Sequence, residues 1–193
     1  MLPRIDKSIE KRPKEVQDRT TFGHWELDSV IGSKRKGNTI LSFTERLTRM
    51  QLIYIADDKS SLSTVKVINL IERKLGSTNF RKIFKSFTCD NGTEFSNVVG
   101  MEYSPITHRK RTNVWYCHAY ASSERGSNEN QNGFIRRFIS KGTPISEYTL
   151  IDIKRIQDFI NEYPRGIFNY KSSSELFFAE LEKIGITENL KIF

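Results

Sequence analysis

Cysteine is scarce in this chain of 193 residues: only Cys89 and Cys117 occur, too few for a disulfide framework. Both end apolar runs, so buried, reduced thiols are expected. No apolar run approaches the length of a membrane span, and the opening MLPRIDKSIEKRPKEVQDRT lacks the apolar centre of a signal peptide. Cytoplasmic residence without a membrane partner is the resulting expectation. No internal repeat is found. Compact ligand pairs such as C-x2-C are missing too, so His24, His108 and His118 with the two cysteines make no zinc pattern.

The hydrophobic share of 37% and the spread of aromatics point to a globular protein, and the length suits one domain with a sizeable core. Formal net charge is +8. Much of it falls between residues 109 and 141, where Arg109, Lys110, Arg111, Arg125, Arg136, Arg137 and Lys141 face only Glu124 and Glu129. A polyanion is the partner such a surplus favours, a solvated face being the plainer alternative.

Residues 1–20 alternate charges, contain Pro3 and Pro13 and show no apolar period, so a basic linker or tail is expected there, with the domain spanning 21–193. HWELDSVI alternates as a strand does: Trp25, Leu27, Ser29 and Ile31 share one face, Glu26, Asp28 and Val30 the other. TILSF and MQLIYIA, separated by TERLTR, extend this to three antiparallel strands. SSLSTVKVINLIERKLG reads as a helix with a serine start and a glycine stop, its apolar side including Leu62, Val65, Ile68, Ile71 and Leu75. KIFKSFTCDNG reads as a strand ending in a turn, YSPITHRKRT as a loop and NVWYCHA as another strand. Three helices complete the chain. The first buries Phe134, Ile135, Phe138 and Ile139; the second, LIDIKRIQDFINEYP, buries Ile153, Ile156, Ile160 and Tyr163; the third is SSSELFFAELEKIG. Trp25 and Trp115 are expected in the core. This order suits an α/β layered domain of ribonuclease-H-like type: a mixed sheet, antiparallel first and parallel later, with helices on both faces.

Three carboxylates stand out by position. Asp28 lies within the first strand, where a charge needs a partner or a metal. Asp90 lies where a strand enters a tight turn, and Glu129 near a helix start. If they converge, their mutual repulsion calls for a hard, oxygen-loving cation such as Mg²⁺ or Mn²⁺. Two such ions about 3.5–4 Å apart suit phosphodiester displacement. Each residue also has a plainer explanation: turn nucleation for Asp90, an exposed edge strand for Asp28, the helix macrodipole for Glu129. Spacing alone leaves both open.

FGHWELDSVIG, TCDNGTEF and YCHAYASSERGSNENQNGFIRRFISKGT resemble, in order, the catalytic-core motifs of DDE transposases, and closely those of the IS-thirty family of bacterial insertion sequences. KRPKEVQDR and INEYPRGIFNYKSSSELF are similar to that family's flanking segments, so the likeness runs from about residue 11 to about residue 178. The resemblance implies a ribonuclease-H-like integrase core, with Asp28, Asp90 and Glu129 as catalytic metal ligands and Mg²⁺ (or Mn²⁺) as cofactor, two ions with DNA bound. It implies nicking at transposon ends and attack of the freed 3′-OH on target DNA. The partner is then DNA rather than a small molecule, and a homo-oligomer is expected on it. Asn132 gains a role beside the carboxylate or a phosphate, and Gly133 permits close approach of a DNA backbone. Arg136, Arg137 and Lys141, with Arg125, Arg109, Lys110 and Arg111, become phosphate contacts.

The chain departs from the family at Leu27, where relatives often carry a small residue. It departs again at Ala119 and Ser123, where they tend to have Pro and Trp. Its Asp90-to-Glu129 span of 39 positions is somewhat longer than usual. The family's upstream helix-turn-helix region is not in this sequence, so an excised or truncated core is expected. A catalytically silent DNA-binding remnant and a metal-dependent nuclease of the same fold are the competing readings.

Overall fold

His24–Ile31 forms strand β1, as its alternation predicts. In this computed structural model, residues 7–32, 37–118 and 126–187 are described, the side chains of residues 126–131 excepted. β1 pairs antiparallel with β2 (Thr39–Glu45), which pairs antiparallel with β3 (Gln51–Ala56). On its other side β1 runs parallel to β4 (Ser86–Cys89), and β4 runs parallel to β5 (Asn113–Tyr116). The sheet order is therefore β3-β2-β1-β4-β5, antiparallel first and parallel later.

Residues 7–20 are a correction to the expected linker. Ile9 sits in a short 3-10 turn, helix α1 covers Lys14–Gln17, and both Ile9 and Val16 are buried. Ser8 bridges to Tyr116 of β5, and the buried Arg12 donates to Thr88 Oγ1 at 3.0 Å. The apolar residues here are too few to show a period, yet two anchors suffice to dock a short segment.

Helix α2 (Ser61–Leu75) starts on Ser60, whose side chain accepts from the Ser63 amide. It stops at Gly76, whose φ of 73° glycine adopts without steric cost. Leu62 is an exception to the expected apolar side, being exposed. α3 (Ser77–Ile83) follows at once and shortens the expected strand to β4: Phe80, Ile83 and Phe84 recur at helical spacing and all are fully buried. α4 (Val98–Glu102) immediately precedes the expected loop, which begins at Tyr103. α5 (Gly126–Phe138), α6 (Leu150–Glu162) and α7 (Ser173–Lys183) lie where the sequence predicts helices, and capping boxes open α6 at Thr149 and α7 at Ser172.

The strand alternation divides the core in two. One face collects Trp25, Leu27, Leu41, Phe43 and Phe87 under α2, α3 and α7, with Phe80, Phe84 and Phe177 among the contacts. The other collects Val30, Ile40 and Ile53 under Ile135 of α5, Ile139 just after it, and Ile153, Ile156 and Ile160 of α6. Phe138 and Tyr163 are more exposed than expected, and Trp115 is half-buried. α6 lies against the outer strand: the Asn161 side chain accepts from the Gln51 amide and donates to the Gln51 carbonyl, both at 2.8 Å. Gln157 accepts from the Ile53 amide at 2.9 Å.

Candidate active site

The order β3-β2-β1-β4-β5 changes direction between β1 and β4, and in open α/β sheets ligands bind at the carboxyl ends of strands beside such a switch point. There His24 pairs with Ser86, Trp25 with Phe87 and Glu26 with Thr88. Continuing that parallel register by two residues brings Asp28 level with Asp90. Asp28 is half-buried, and one of its oxygens accepts from the Ser29 amide at 2.8 Å. Asp90 Oδ1 accepts from the Gly92 amide at 2.8 Å, the turn geometry the Asp-Asn-Gly sequence predicts. Asp90 therefore shapes the turn, and it does so beside the sheet's switch point.

Helix α5 reaches this site through Asn132. Its Nδ2 donates to Asp28 Oδ2 at 2.6 Å, and its Oδ1 accepts from Ser42 Oγ at 3.3 Å. Ser42 is the cross-strand partner of Asp28, so one amide clamps two neighbouring strands and fixes the Asp28 carboxylate. Four residues on, Arg136 donates to the Ile31 carbonyl at 2.7 Å. It is half-buried, and part of its guanidinium seats the helix rather than facing solvent. Glu129 lies in α5, one turn before Asn132; its side chain is outside the described residues. Arg125, Ala119 and Ser123 lie outside them altogether. Among the described residues no three His, Cys, Asp or Glu side chains form a group that could hold a metal by themselves.

The basic residues divide. Arg137 and Lys141 are exposed on and just after α5, with the Arg137 guanidinium 4.8 Å from the Phe134 ring centroid. Gly133 is exposed, with open space where a side chain would be. Arg109, Lys110 and Arg111 precede β5 and so lie at the opposite end of the parallel strands from Asp90. Arg109 and Lys110 are exposed, the latter 3.7 Å from Glu102. Arg111 is a correction: it is only 2% exposed and out of reach of any phosphate. Its guanidinium donates to Glu72 at 2.7 Å, the Met101 carbonyl at 2.9 Å and the Gly100 carbonyl at 2.7 Å. Burial tends to raise the Glu72 carboxyl, but hydrogen bonds from Ser104, Ser77 and Arg111 and the charge of Arg111 outweigh it and leave it below its ordinary value.

Two residues beside the site were not singled out from the sequence. Glu94 follows the Asp90 turn and is 3% exposed; its Oε1 accepts from Ser29 Oγ and lies 3.3 Å from Lys59 Nζ. In sequence both look like ordinary surface charges. The one available signal is the adjacent Phe95, an aromatic that anchors the segment in the core.

The chain is similar in sequence to known proteins. The chain is 39% identical over 181 residues to a probable transposase for the insertion-like sequence element IS1161 of Streptococcus salivarius, covering 90% of this chain and 46% of that protein. It is homologous to the transposases of insertion sequences. A transposase for IS4351 of Bacteroides fragilis is 33% identical over 90% of this chain and 49% of its own length. The transposase InsI of IS30A from Escherichia coli is 29% identical over 87% of this chain and 41% of its own length. The chain thus spans about half the length of the transposases it matches. No family profile matches it. Among solved structures, the catalytic core domain of BIV integrase superposes with a TM-score of 0.56 at 11% identity, covering 85% of this chain and 99% of that one. A chain of the simian T-cell lymphotropic virus intasome in complex with PP2A regulatory subunit B56 gamma gives 0.57 at 12% identity, covering 79% and 53%. The fold is that of the ribonuclease-H-like integrase cores. No helix among the described residues is long and apolar enough to cross a membrane.

Proposed function

We propose that this chain is the catalytic core of an insertion-sequence transposase, a polynucleotidyl transferase acting on DNA through Asp28, Asp90 and Glu129. The observation that carries the reading is the register bringing Asp28 level with Asp90, with α5 tied to Asp28 by Asn132. The donor set fits a hard divalent cation: it is all oxygen, and a buried oxygen of Glu94 beside it has no hydrogen-bond partner. Mg²⁺ or Mn²⁺, one ion or two with DNA bound, supplies charge neutralisation at the phosphodiester.

The chain's own residues do the positioning. Asp28 and Asp90 provide fixed carboxylate oxygens, and Asn132 holds the first of them in orientation. Glu129, one turn from Asn132, completes the triad. Arg137 and Lys141 contact phosphates and set the strand's register without reading its bases. The chemistry is phosphoryl transfer in two rounds. Water first attacks phosphorus at a transposon end, breaking the bond to flanking DNA and leaving a 3′-OH. That hydroxyl then attacks a target phosphodiester, whose 3′ oxygen leaves. Two ends must be joined to one target, so the working form is a homo-oligomer on DNA.

The test is strand transfer by the full-length protein in Mn²⁺, using a pre-nicked duplex carrying the terminal repeat that flanks its gene. Joined products are expected from the wild type, and none from Asp28→Asn, Asp90→Asn or Glu129→Gln. Activity surviving Glu129→Gln would remove that residue from the triad. Binding without joining by the wild type would make the chain a silent remnant, and cleavage without joining a nuclease.

A further inference from the structure

Glu94 is a carboxylate beside Asp90 that the proposed triad leaves unused. It lies in the 3-10 turn Thr93–Phe95, is 97% buried from its 3% exposure, and is held from one side only. Oε1 takes both available donors, the Ser29 hydroxyl and the Lys59 ammonium. Oε2 is buried and has no hydrogen-bond partner. Leaving a carboxylate oxygen in that state costs free energy, so such an atom in a native site points to a partner beyond the protein's own groups.

Its direction is set by Gly92. A Cβ at that position would lie 2.8 Å from Asp90 Oδ1 and closer still to Glu94 Oε2. The two oxygens therefore flank the same point above the turn, and only glycine leaves room for both. Ser29, which holds Oε1, adjoins Asp28 in β1. Glu94 thus joins the two strand ends that carry the proposed metal ligands, through its Ser29 bond on one side and beside the Asp90 turn on the other.

We propose that Glu94 is a positioning residue of the divalent-cation site, accepting hydrogen bonds through Oε2 from water in the cation's coordination shell. This rests on the assignment of Asp28 and Asp90 as metal ligands. A water-mediated role suits the absence, among the described residues, of three carboxylates close enough to hold a metal directly. It also suits magnesium-like ions, which keep several waters when bound by one or two carboxylates. Ser29 and Lys59 then serve to aim Oε2: they hold the other oxygen, and the carboxylate cannot turn away.

The probe is Mn²⁺ alone, titrated into the DNA-free chain and followed by loss of the free-ion electron paramagnetic resonance signal. Thermal unfolding with and without the ion runs alongside. Glu94→Gln keeps the shape of the side chain and an acceptor for Ser29, so the fold is preserved while Oε2 loses its charge. Its Mn²⁺ affinity is expected to fall roughly ten- to a hundredfold, the usual effect of removing an outer partner of a metal site. Ser29→Ala, which frees Oε1 without touching a carboxylate, is expected to weaken Mn²⁺ in the same direction by a smaller factor. It serves as the second readout if Glu94→Gln does not fold. A purely structural Glu94 would lower the metal-free midpoint and leave Mn²⁺ affinity within twofold of wild type. That result, with Asp90→Asn abolishing binding, would overturn the proposal and spare the site. Unchanged affinity in Asp28→Asn and Asp90→Asn would overturn both.

Discussion

The two faces of β1 differ in kind. Toward α2, α3 and α7 the strand presents Trp25 and Leu27, sealed by a layer of aromatic rings. Trp25 stacks on Phe84 at 4.7 Å, and Phe84 on Phe80 at 4.8 Å. Toward α5 and α6 it presents His24, Glu26, Asp28 and Val30. Of these only Val30 joins the isoleucine layer; Glu26 is fully buried against Arg46, and Asp28 is held by Asn132. Free energy of folding is concentrated on the first face, and ionisable groups on the second. Burying charge is expensive, and a chain can keep Asp28 and Glu26 on one side of a strand because the other side seats Trp25 and Leu27 fully buried in the aromatic core.

Breaking the first face should cost most. Phe84→Ala deletes a ring that is fully buried and in contact with Trp25, Phe80, Phe43 and Phe87. A loss of about 3–5 kcal/mol is expected, read as a large fall in the denaturant midpoint. At a temperature where the variant is still folded, Mn²⁺ affinity should remain near wild type, because no site residue rests on that ring.

The charged row gives the next effect. Burial first, then the positive charges of Lys85, Arg46 and Arg12, hold the His24 imidazole down at about 4, from an ordinary 6.5. As pH falls the unfolded chain takes up its proton first, so this group's contribution is intact above about pH 6.5. It is lost progressively toward about 4 and is flat below. The total is roughly 3 kcal/mol. His24→Gln should flatten that stretch of the stability–pH curve; an unchanged slope would assign it to other groups.

The smallest effect sharpens the contrast. Ile139→Val removes one methylene from the buried residue that directly follows α5 and should cost about 0.5–1.5 kcal/mol. Because α5 carries Asn132 and Glu129, strand transfer should fall more in this variant than in Phe84→Ala, compared at a temperature where both are folded. Equal losses would show that the two faces support the site alike.

What could be read from sequence divides along similar lines. β1 was legible because polar and apolar residues alternate from His24 to Asp28, and α2 because its apolar spacing and both ends agree. α3 was not, since Lys82, Ile83 and Phe84 taken alone look like the start of a strand and only Phe80, three and four residues earlier, shows the helical period. Asp28 and Asp90 were singled out from position and resemblance, and the parallel pairing of β1 with β4, extended by two residues, sets them level. Arg111 was misread because a run of basic residues looks the same whether its guanidinium meets solvent or Glu72. Glu94 was missed for the converse reason: an acidic residue after a turn is ordinarily exposed, and only the fold buries it.

The side chains of Asn161 and Gln157 on β3, and the Ser8 bridge on β5, bear on how copies of this protein can meet. A sheet with bare margins invites another chain to add a strand, in assembly or in aggregation alike. Here one margin already has its main-chain groups engaged by amides imitating a neighbouring strand, and the other is crossed by the amino-terminal segment. An incoming strand would have to strip those bonds away at Gln51, Ile53 or Tyr116. Any contact between copies is thereby directed to helices and loops, and the sheet stays five strands wide.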